Sequence, residues 1–271
     1  MDDTLTDDHC RLCGAETSTV FSKIIMHSHD VRYLECRSCG SLQTVTPYWL
    51  DEAYKDARRF TDTHGVLRAL RNQVLTYYVS RVLGIGPDET LVDYGGGDGL
   101  TTRALRDVGL DAFSCDRYAR NLYAVGFDGH LRTGLGMVTS FEVWEHFSRP
   151  ATELSELFAC KPKALFVSTG IYLAQGEKWP YLGCYSGRHV FFYSPGAMDW
   201  IARTFGYDHL IAGNYVLFSR VPLNALQRKA IGILLAPRCF RFFHAWLALR
   251  FPTGRASGDC AKMRRLVNDD G

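Results

Sequence analysis

Apolar and polar positions divide this 271-residue chain into stretches of different period. Between residues 89 and 221 short apolar runs of strand length alternate with segments of helical period. The runs begin at Leu91-Val92 and continue with Leu110–Asp116, Gly136–Phe141 and Lys163–Thr169. Helices are predicted between them over Thr101–Gly109, Arg117–Phe127 and Ala151–Lys161. Ser194 as N-cap and Pro195 at the first helical position open another helix running to Tyr207. Asp208–Gly213 and Tyr215–Arg220 then read as a hairpin. Strand and helix in alternation predict an α/β fold, a Rossmann-like parallel sheet with an antiparallel C-terminal hairpin. Ahead of it, Pro47–Phe60 and Val66–Gly84 predict two helices. The second carries an apolar face of Leu67, Leu70, Val74, Leu75, Tyr78 and Val82. Nearer the N-terminus, Phe21–Cys36 reads as two strands turning around His27–Asp30. The expected organisation is a small module over 1–46, a helical connector over 47–88, the α/β domain over 89–221 and an extension over 222–271.

The first strand of the α/β domain ends in chemistry. Asp93 follows Leu91-Val92, and Gly95, Gly96, Gly97 and Gly99 form the turn into the next helix. A glycine turn between strand and helix lets a ligand approach the backbone, where side chains would block it. A second acid, Asp116, ends the following strand 23 residues after Asp93, the separation at which a carboxylate meets ribose hydroxyls in such folds. The G-x-G-x-x-G dinucleotide pattern fails, because Leu100 or Thr102 occupies the third glycine position.

The D-x-G-x-G-x-G run from Asp93 to Gly99 resembles the first motif of class I methyltransferases that use S-adenosylmethionine (SAM). The resemblance implies that Asp93, Gly95, Gly97 and Gly99 lie under the methionine half of SAM and that Asp116 binds its ribose. The segment between Asp116 and Gly136 is short, so the family's third strand is expected to be reduced. Arg117 and Tyr118 are then the candidates to hold adenine. Thr139-Ser140-Phe141-Glu142-Val143-Trp144-Glu145-His146 resembles the family's fourth-strand motif, whose C-terminal end lines the catalytic pocket. Glu142 is a candidate cofactor ligand. Glu145 and His146 are candidates to position or deprotonate an acceptor, or to brace the loop.

A long connection, Gly170–Ser194, follows the last parallel strand and is rich in Gly, Trp and Tyr. Loops of that length beside a strand's C-terminal end commonly form lids or substrate walls. Trp179, Tyr181, Tyr185, Arg188 and His189 are its candidate substrate face, because aromatic rings stack on sugars and flat rings. Phe191 and Phe192 are expected in the core. Tyr54, Asp62, Arg71 and Asn72, in the helical connector, are further candidate contacts.

Cys10-x2-Cys13-Gly and Cys36-x2-Cys39-Gly form two knuckles 22 residues apart. Such a pair gives a four-cysteine tetrahedral site suited to structural Zn2+, which a module of this size needs in order to fold. His9, His27 and His29 are alternative ligands, but four cysteines already complete the shell. The whole arrangement is similar to bacterial methyltransferases with an N-terminal zinc ribbon, including C-methyltransferases of nucleotide-linked deoxysugars. Those enzymes carry His-Glu-His before Tyr-Phe-Ser as their base; here Gly187-Arg188-His189 precedes Phe192-Tyr193-Ser194. An arginine cannot abstract a proton. O-methylation with His189 or His146 as base is therefore at least as well supported as C-methylation. Arg188 is open to a phosphate or carboxylate. The resemblance implies a sugar, a glycan precursor or a related small molecule as acceptor. The competing reading is a binding protein on a methyltransferase-like scaffold that has lost its cofactor.

Composition adds little to this picture. A net charge of +2 and the absence of a basic, aromatic-interleaved patch in residues 1–46 argue against nucleic acid. Nine cysteines, four of them at metal spacing, fit a reducing cytoplasm, and the acidic start MDDTLTDD lacks the apolar core of a signal peptide. Residues 222–271 hold nine Lys/Arg against three Asp, interleaved with Leu, Ile, Phe and Trp. This stretch either packs on the domain or a second subunit, the favoured reading, or touches an anionic membrane peripherally. Its last ten or so residues are expected to be disordered.

Overall fold

The computed structural model describes residues 7–55, 63–236, 240–251 and 254–269. They fall into two compact units, each assembled from segments distant in sequence. The first comprises Met1–Thr61, Glu142–Ala159 and Ser168–Val216; the second comprises Asp62–Phe141, Cys160–Val167 and Leu217–Gly271.

The first unit is built on the expected hairpin. β1 (Thr17–Ile25) and β2 (His29–Cys36) pair antiparallel with Ile25 opposite His29, and Met26 and His27 take positive φ in the turn. β3 (Leu42–Thr44) pairs antiparallel with β2, and β8 (Phe191–Phe192) with β3, so the sheet order is β1-β2-β3-β8. The long connection thus supplies a strand to the cysteine-bearing sheet, which the sequence did not foretell. Its core gathers Ile25, Val31, Tyr33, Leu42, Trp49 and Phe192. α1 (Leu50–Lys55) is the described part of the first expected helix; Asp62 lies outside the described residues. α4 (Pro150–Ala159) and α5 (Pro195–Phe205) also belong to this unit, and the Ser194 side chain caps α5 by accepting the Ala197 N–H at 3.0 Å.

The second unit holds the strand, turn and helix of the glycine motif. β4 (Thr90–Tyr94) runs parallel to both β5 (Asp111–Cys115) and β6 (Met137–Phe141), with α3 (Leu100–Asp107) after the turn. With β7 (Ala164–Ser168) and the hairpin of β9 (Asp208–Ala212) and β10 (Tyr215–Ser219), the sheet order is β5-β4-β6-β7-β10-β9, and β9 falls within the residues of the first unit. Only Gly213 and Asn214 join the last two strands, a link that requires antiparallel pairing. The order reverses at β4, which places a ligand crevice at that strand's C-terminal end.

Three expectations are corrected. Arg117–Phe127 forms no helix. The N–H groups of Leu122 and Tyr123 go to the Asp98 carbonyl at 2.8 and 3.0 Å, and Asn121 Oδ1 takes that of Ala124 at 2.9 Å, so donors that a helix would spend four residues back are spent elsewhere. The third strand is reduced to one isolated bridge between Ser114 and Asp128, as expected. In α2 (Gly65–Val82) the expected apolar face is buried only in part: Val74 and Leu75 are buried, but burial extends well beyond that face. Leu67 is exposed, whereas Asn72, Gln73, Thr76, Tyr77 and Ser80 are buried, because α3, α6 (Ala225–Leu235) and α7 (Phe240–Arg250) all pack on this helix. The C-terminal stretch is ordered to Asp269 in α8 (Ala256–Asp269), which answers the expectation of disorder. Asp259 on α8 receives Arg106 at 2.8 Å on both oxygens and Arg103 at 2.8 Å, which ties the helix to α3.

Candidate functional site

The four cysteines converge at one end of the first sheet. Cys36 ends β2, and an antiparallel bridge between His9 and Glu16 closes the loop that carries Cys10 and Cys13. Cys10 Sγ lies 3.8 Å from Cys39 Sγ, Cys13 Sγ lies 3.4 Å from Cys36 Sγ, and all four sulfurs sit within 4.8 Å of one another. A zinc–sulfur bond of about 2.3 Å gives a tetrahedral edge of about 3.8 Å, so the spacing fits that ion. Cys36 Sγ also accepts the N–H groups of Ser38 and Cys39, each at 3.4 Å, an arrangement that stabilises a thiolate. No histidine joins the cluster among the described residues, and a closed four-thiolate shell leaves no position for a substrate.

In the second unit Asp93 is 2% exposed and serves the turn from beneath. Thr139 Oγ1 donates to its Oδ1 at 2.8 Å and Thr102 Oγ1 to its Oδ2 at 3.2 Å, so one carboxylate pins β6 and α3 to β4. Burial lifts its pKa to about 6 against the opposing pull of the two threonines. Gly95, Gly97 and Gly99 all take positive φ. At Gly97 a Cβ would meet nothing within 4 Å, so open space adjoins the backbone there; at Gly96 it would collide with Ser114 and Asp93. The Gly97 N–H donates to Asp116 Oδ2 at 2.9 Å. With Tyr118 and Ala119 on the other oxygen, the carboxylate keeps about one of its roughly four acceptor positions, enough for a single ribose hydroxyl. Arg117 and Tyr118 follow on the exposed stretch that replaces the third strand. This turn, open at Gly97 and flanked by an acid, fits the methionine and ribose portions of SAM.

In the first unit Glu142, Glu145, His146, Tyr181 and His189 form one cluster. Glu142, directly after β6, has φ +56° and accepts Ser168 Oγ at 2.8 Å. Glu145 is fully buried, with Thr169 Oγ1 donating at 3.0 Å and Tyr181 Oη at 2.6 Å. Tyr181 Oη also lies 3.2 Å from Glu142 Oε2. A phenol has one proton, so when Tyr181 donates to Glu145 the second contact requires the proton to be on Glu142. Burial and the neighbouring charge of Glu145 raise Glu142 in that direction, and burial between the two acids raises Tyr181. The Tyr181 ring lies over Gly170, where a Cβ would overlap it at 2.3 Å.

The two histidines are oriented alike. His146 Nδ1 meets the Arg188 carbonyl at 3.0 Å and His189 Nδ1 the Tyr181 carbonyl at 2.6 Å. A carbonyl can only accept, so each Nδ1 carries the proton and each Nε2 is left with its lone pair. The rings stand edge to face at 5.0 Å, and one donor atom from each of Glu145, His146 and His189 lies within 4.8 Å of the others. Burial draws His146 down to about 4.

Of the remaining candidates, Arg71 and Asn72 lie on α2 in the second unit, and Tyr54, Trp179, Tyr185 and Arg188 lie in the first. Trp179 packs among Tyr172, Tyr181 and Phe192, so it belongs partly to the core, whereas Tyr185 is exposed. Arg188 donates from Nε and Nη2 to the Ala53 carbonyl at 3.1 Å each and lies over the Tyr54 ring. Thr102, Thr139, Ser168 and Thr169, which fix the acids, were missed in the sequence, where isolated hydroxyl residues carry no distinguishing pattern.

The chain matches the family model described as "Methyltransferase domain" over residues 66–210. No curated protein matches it. Among solved structures it is similar to magnesium protoporphyrin IX methyltransferase of Synechocystis with bound S-adenosylhomocysteine, at 16% identity and a TM-score of 0.43 over 64% of this chain and 93% of that one. It is also similar to 1,6-didemethyltoxoflavin-N1-methyltransferase of Burkholderia thailandensis, at 11% identity and a TM-score of 0.45 over 73% of this chain and 97% of that one. With the family match spanning more than half of its length, the chain belongs to the methyltransferase-domain family and is a SAM-dependent methyltransferase.

Proposed function

We propose that this enzyme methylates an oxygen or carbon of a sugar, a glycan precursor or a related small molecule, with His189 as the base that accepts the acceptor's proton. The orientation of the two imidazoles carries the reading: each Nδ1–H is spent on a backbone carbonyl, so Nε2 is presented to a proton donor. His189 takes the role because burial holds His146 at about 4, too weak a base near neutral pH. His146 then positions His189 through their edge-to-face contact. SAM supplies a methyl group on a sulfonium, already a good leaving group, so positioning carries much of the rate enhancement.

In this reading Gly95, Gly97, Gly99 and Asp116 hold the cofactor, with Asp93 acting through the turn it pins. Arg117 and Tyr118 meet the adenine, and Glu142 contacts the cofactor from the end of the fourth-strand motif. Trp179, Tyr181 and Tyr54 provide aromatic surface for the acceptor, and Arg188 meets a phosphate or carboxylate on it. Zn2+ in the four-cysteine site is structural. The test is a screen of sugar nucleotides and small hydroxylated acceptors for a mass gain of one methyl group. With the acceptor found, His189→Ala lowers kcat by about 10²–10⁴-fold and leaves S-adenosylhomocysteine affinity unchanged. Undiminished kcat in that variant overturns the assignment.

A further inference from the structure

α7 has two apolar sides. Its inner side is spoken for: Leu247 is buried, and Phe243 stacks at 4.6 Å from Tyr78 of α2. Its outer side presents Phe242, Trp246 and Leu249, which are 71%, 42% and 83% exposed. Their spacing of four and three residues puts them in one row along the helix. Arg250 lies over the Trp246 ring at 5.4 Å, its charge at the edge of that row. From Val221 to Gly258 the chain has six Lys/Arg and no Asp or Glu. Among the described residues no helix is long and apolar enough to cross a membrane.

We propose that α7 is an interfacial docking surface for anionic lipid, with Phe242, Trp246 and Leu249 inserted among the headgroups and Arg250 paired with lipid charge. An exposed apolar row inside a wholly cationic stretch is costly in water and favourable at such an interface, where rings and methyls enter the acyl boundary and arginine stems reach back to phosphate. Two contributions add: apolar transfer of three side chains, and attraction of cations near the surface to lipid charge. A second copy of this chain offers the apolar half of that complementarity but repeats the same positive charge. A lipid surface therefore fits better.

The full zinc-loaded chain is sedimented with vesicles of phosphatidylcholine alone and of phosphatidylcholine mixed with phosphatidylglycerol, at low and high salt. Partition into the anionic vesicles should exceed that into neutral ones at least about tenfold, and fall with salt. It should be lost in the triple variant Phe242→Ser, Trp246→Ser, Leu249→Ser and in Leu249→Asp alone, both of which keep wild-type binding of S-adenosylhomocysteine. Brominated lipid should quench tryptophan emission in the wild type and less in Trp246→Phe. Equal partition into both vesicle types, or partition unchanged in Leu249→Asp, overturns the proposal. So does absence of partition with a concentration-dependent dimer that the triple variant dissociates, which assigns the row to a second copy.

Discussion

The backbone N–H of Gly97 donates to Asp116 Oδ2 at 2.9 Å, so the glycine turn and the acid 19 residues later are one device. Asp116→Ala removes the acceptor of three backbone N–H groups as well as the proposed ribose contact. S-adenosylhomocysteine affinity should fall by about 1–3 kcal/mol, roughly 5- to 200-fold, in a calorimetric titration. Gly97→Arg projects into the open space beside the backbone and should abolish binding; its positive φ strains any side chain, so the melting temperature should also fall by about 2–4 °C.

Asp93 makes stability depend on pH in an unusual sense. Its folded pKa of about 6 stands above its unfolded 3.8, so folding favours its protonated form. The stability it contributes is fully present below pH 3.8 and is lost as pH rises through 6, about 3 kcal/mol in all. Asp93→Asn cannot ionise. Its urea-unfolding free energy should gain on the wild type as pH is raised from about 4.5 to about 7. A constant difference across that window would rule out the buried charge as the cause.

Removal of Asp259 leaves Arg106, whose side chain is 3% exposed, as a charge without its main partner. Asp259→Ala should cost about 3–5 kcal/mol by denaturant titration, whereas Arg106→Met with Asp259→Leu should recover much of the loss. Burial alone would raise the Asp259 pKa, but hydrogen bonds from Arg106 and Arg103 hold it below the usual range. Its contribution is therefore present above pH 3.8 and lost as pH falls through the folded value.

The cysteine cluster predicts one zinc per chain by elemental analysis and none in Cys36→Ser. Loss of a four-thiolate site removes binding energy on the order of 10 kcal/mol. The first unit should then lose its tertiary signal on chelation while α2, α3 and the helices after residue 222 keep their far-UV signature.

Tyr181→Phe removes the hydroxyl that bridges Glu142 and Glu145. If the bridge tunes His189 through its neighbours, kcat should fall about tenfold or more and the pH–rate profile should shift, with KM little changed. A uniform fall across pH would mark a packing role instead.

The sheet was legible because its strands are short apolar runs between turns, and the glycine motif because glycine is demanded where a ligand meets backbone. Membership of the family disposes of the non-enzymatic alternative. The buried side of α2 was not legible. Helices arriving from distant segments surround it, and a single periodic face cannot report three partners. The Arg117–Phe127 helix failed because the Asp98 carbonyl and Asn121 Oδ1 take the amides of Leu122, Tyr123 and Ala124 that would have continued it. Tyr181 was found by its place in an aromatic loop, but its link to two acids depends on a fold of the loop that no spacing reveals.

β8 pairs with β3, and Arg11, between the first two cysteines, donates to the Val190 carbonyl at 2.6 Å. His189 therefore sits one residue before a backbone group anchored to the cysteine knuckle. Mechanically, the knuckle and the histidine share a splint. A chimaera that exchanges residues 1–46 between relatives would carry a sheet whose fourth strand comes from another parent. Function would survive such an exchange only if residues 170–194 travelled with it. Insertions in the long loop should likewise be tolerated near exposed Tyr185 and rejected around Val190–Phe192, where the loop is a strand.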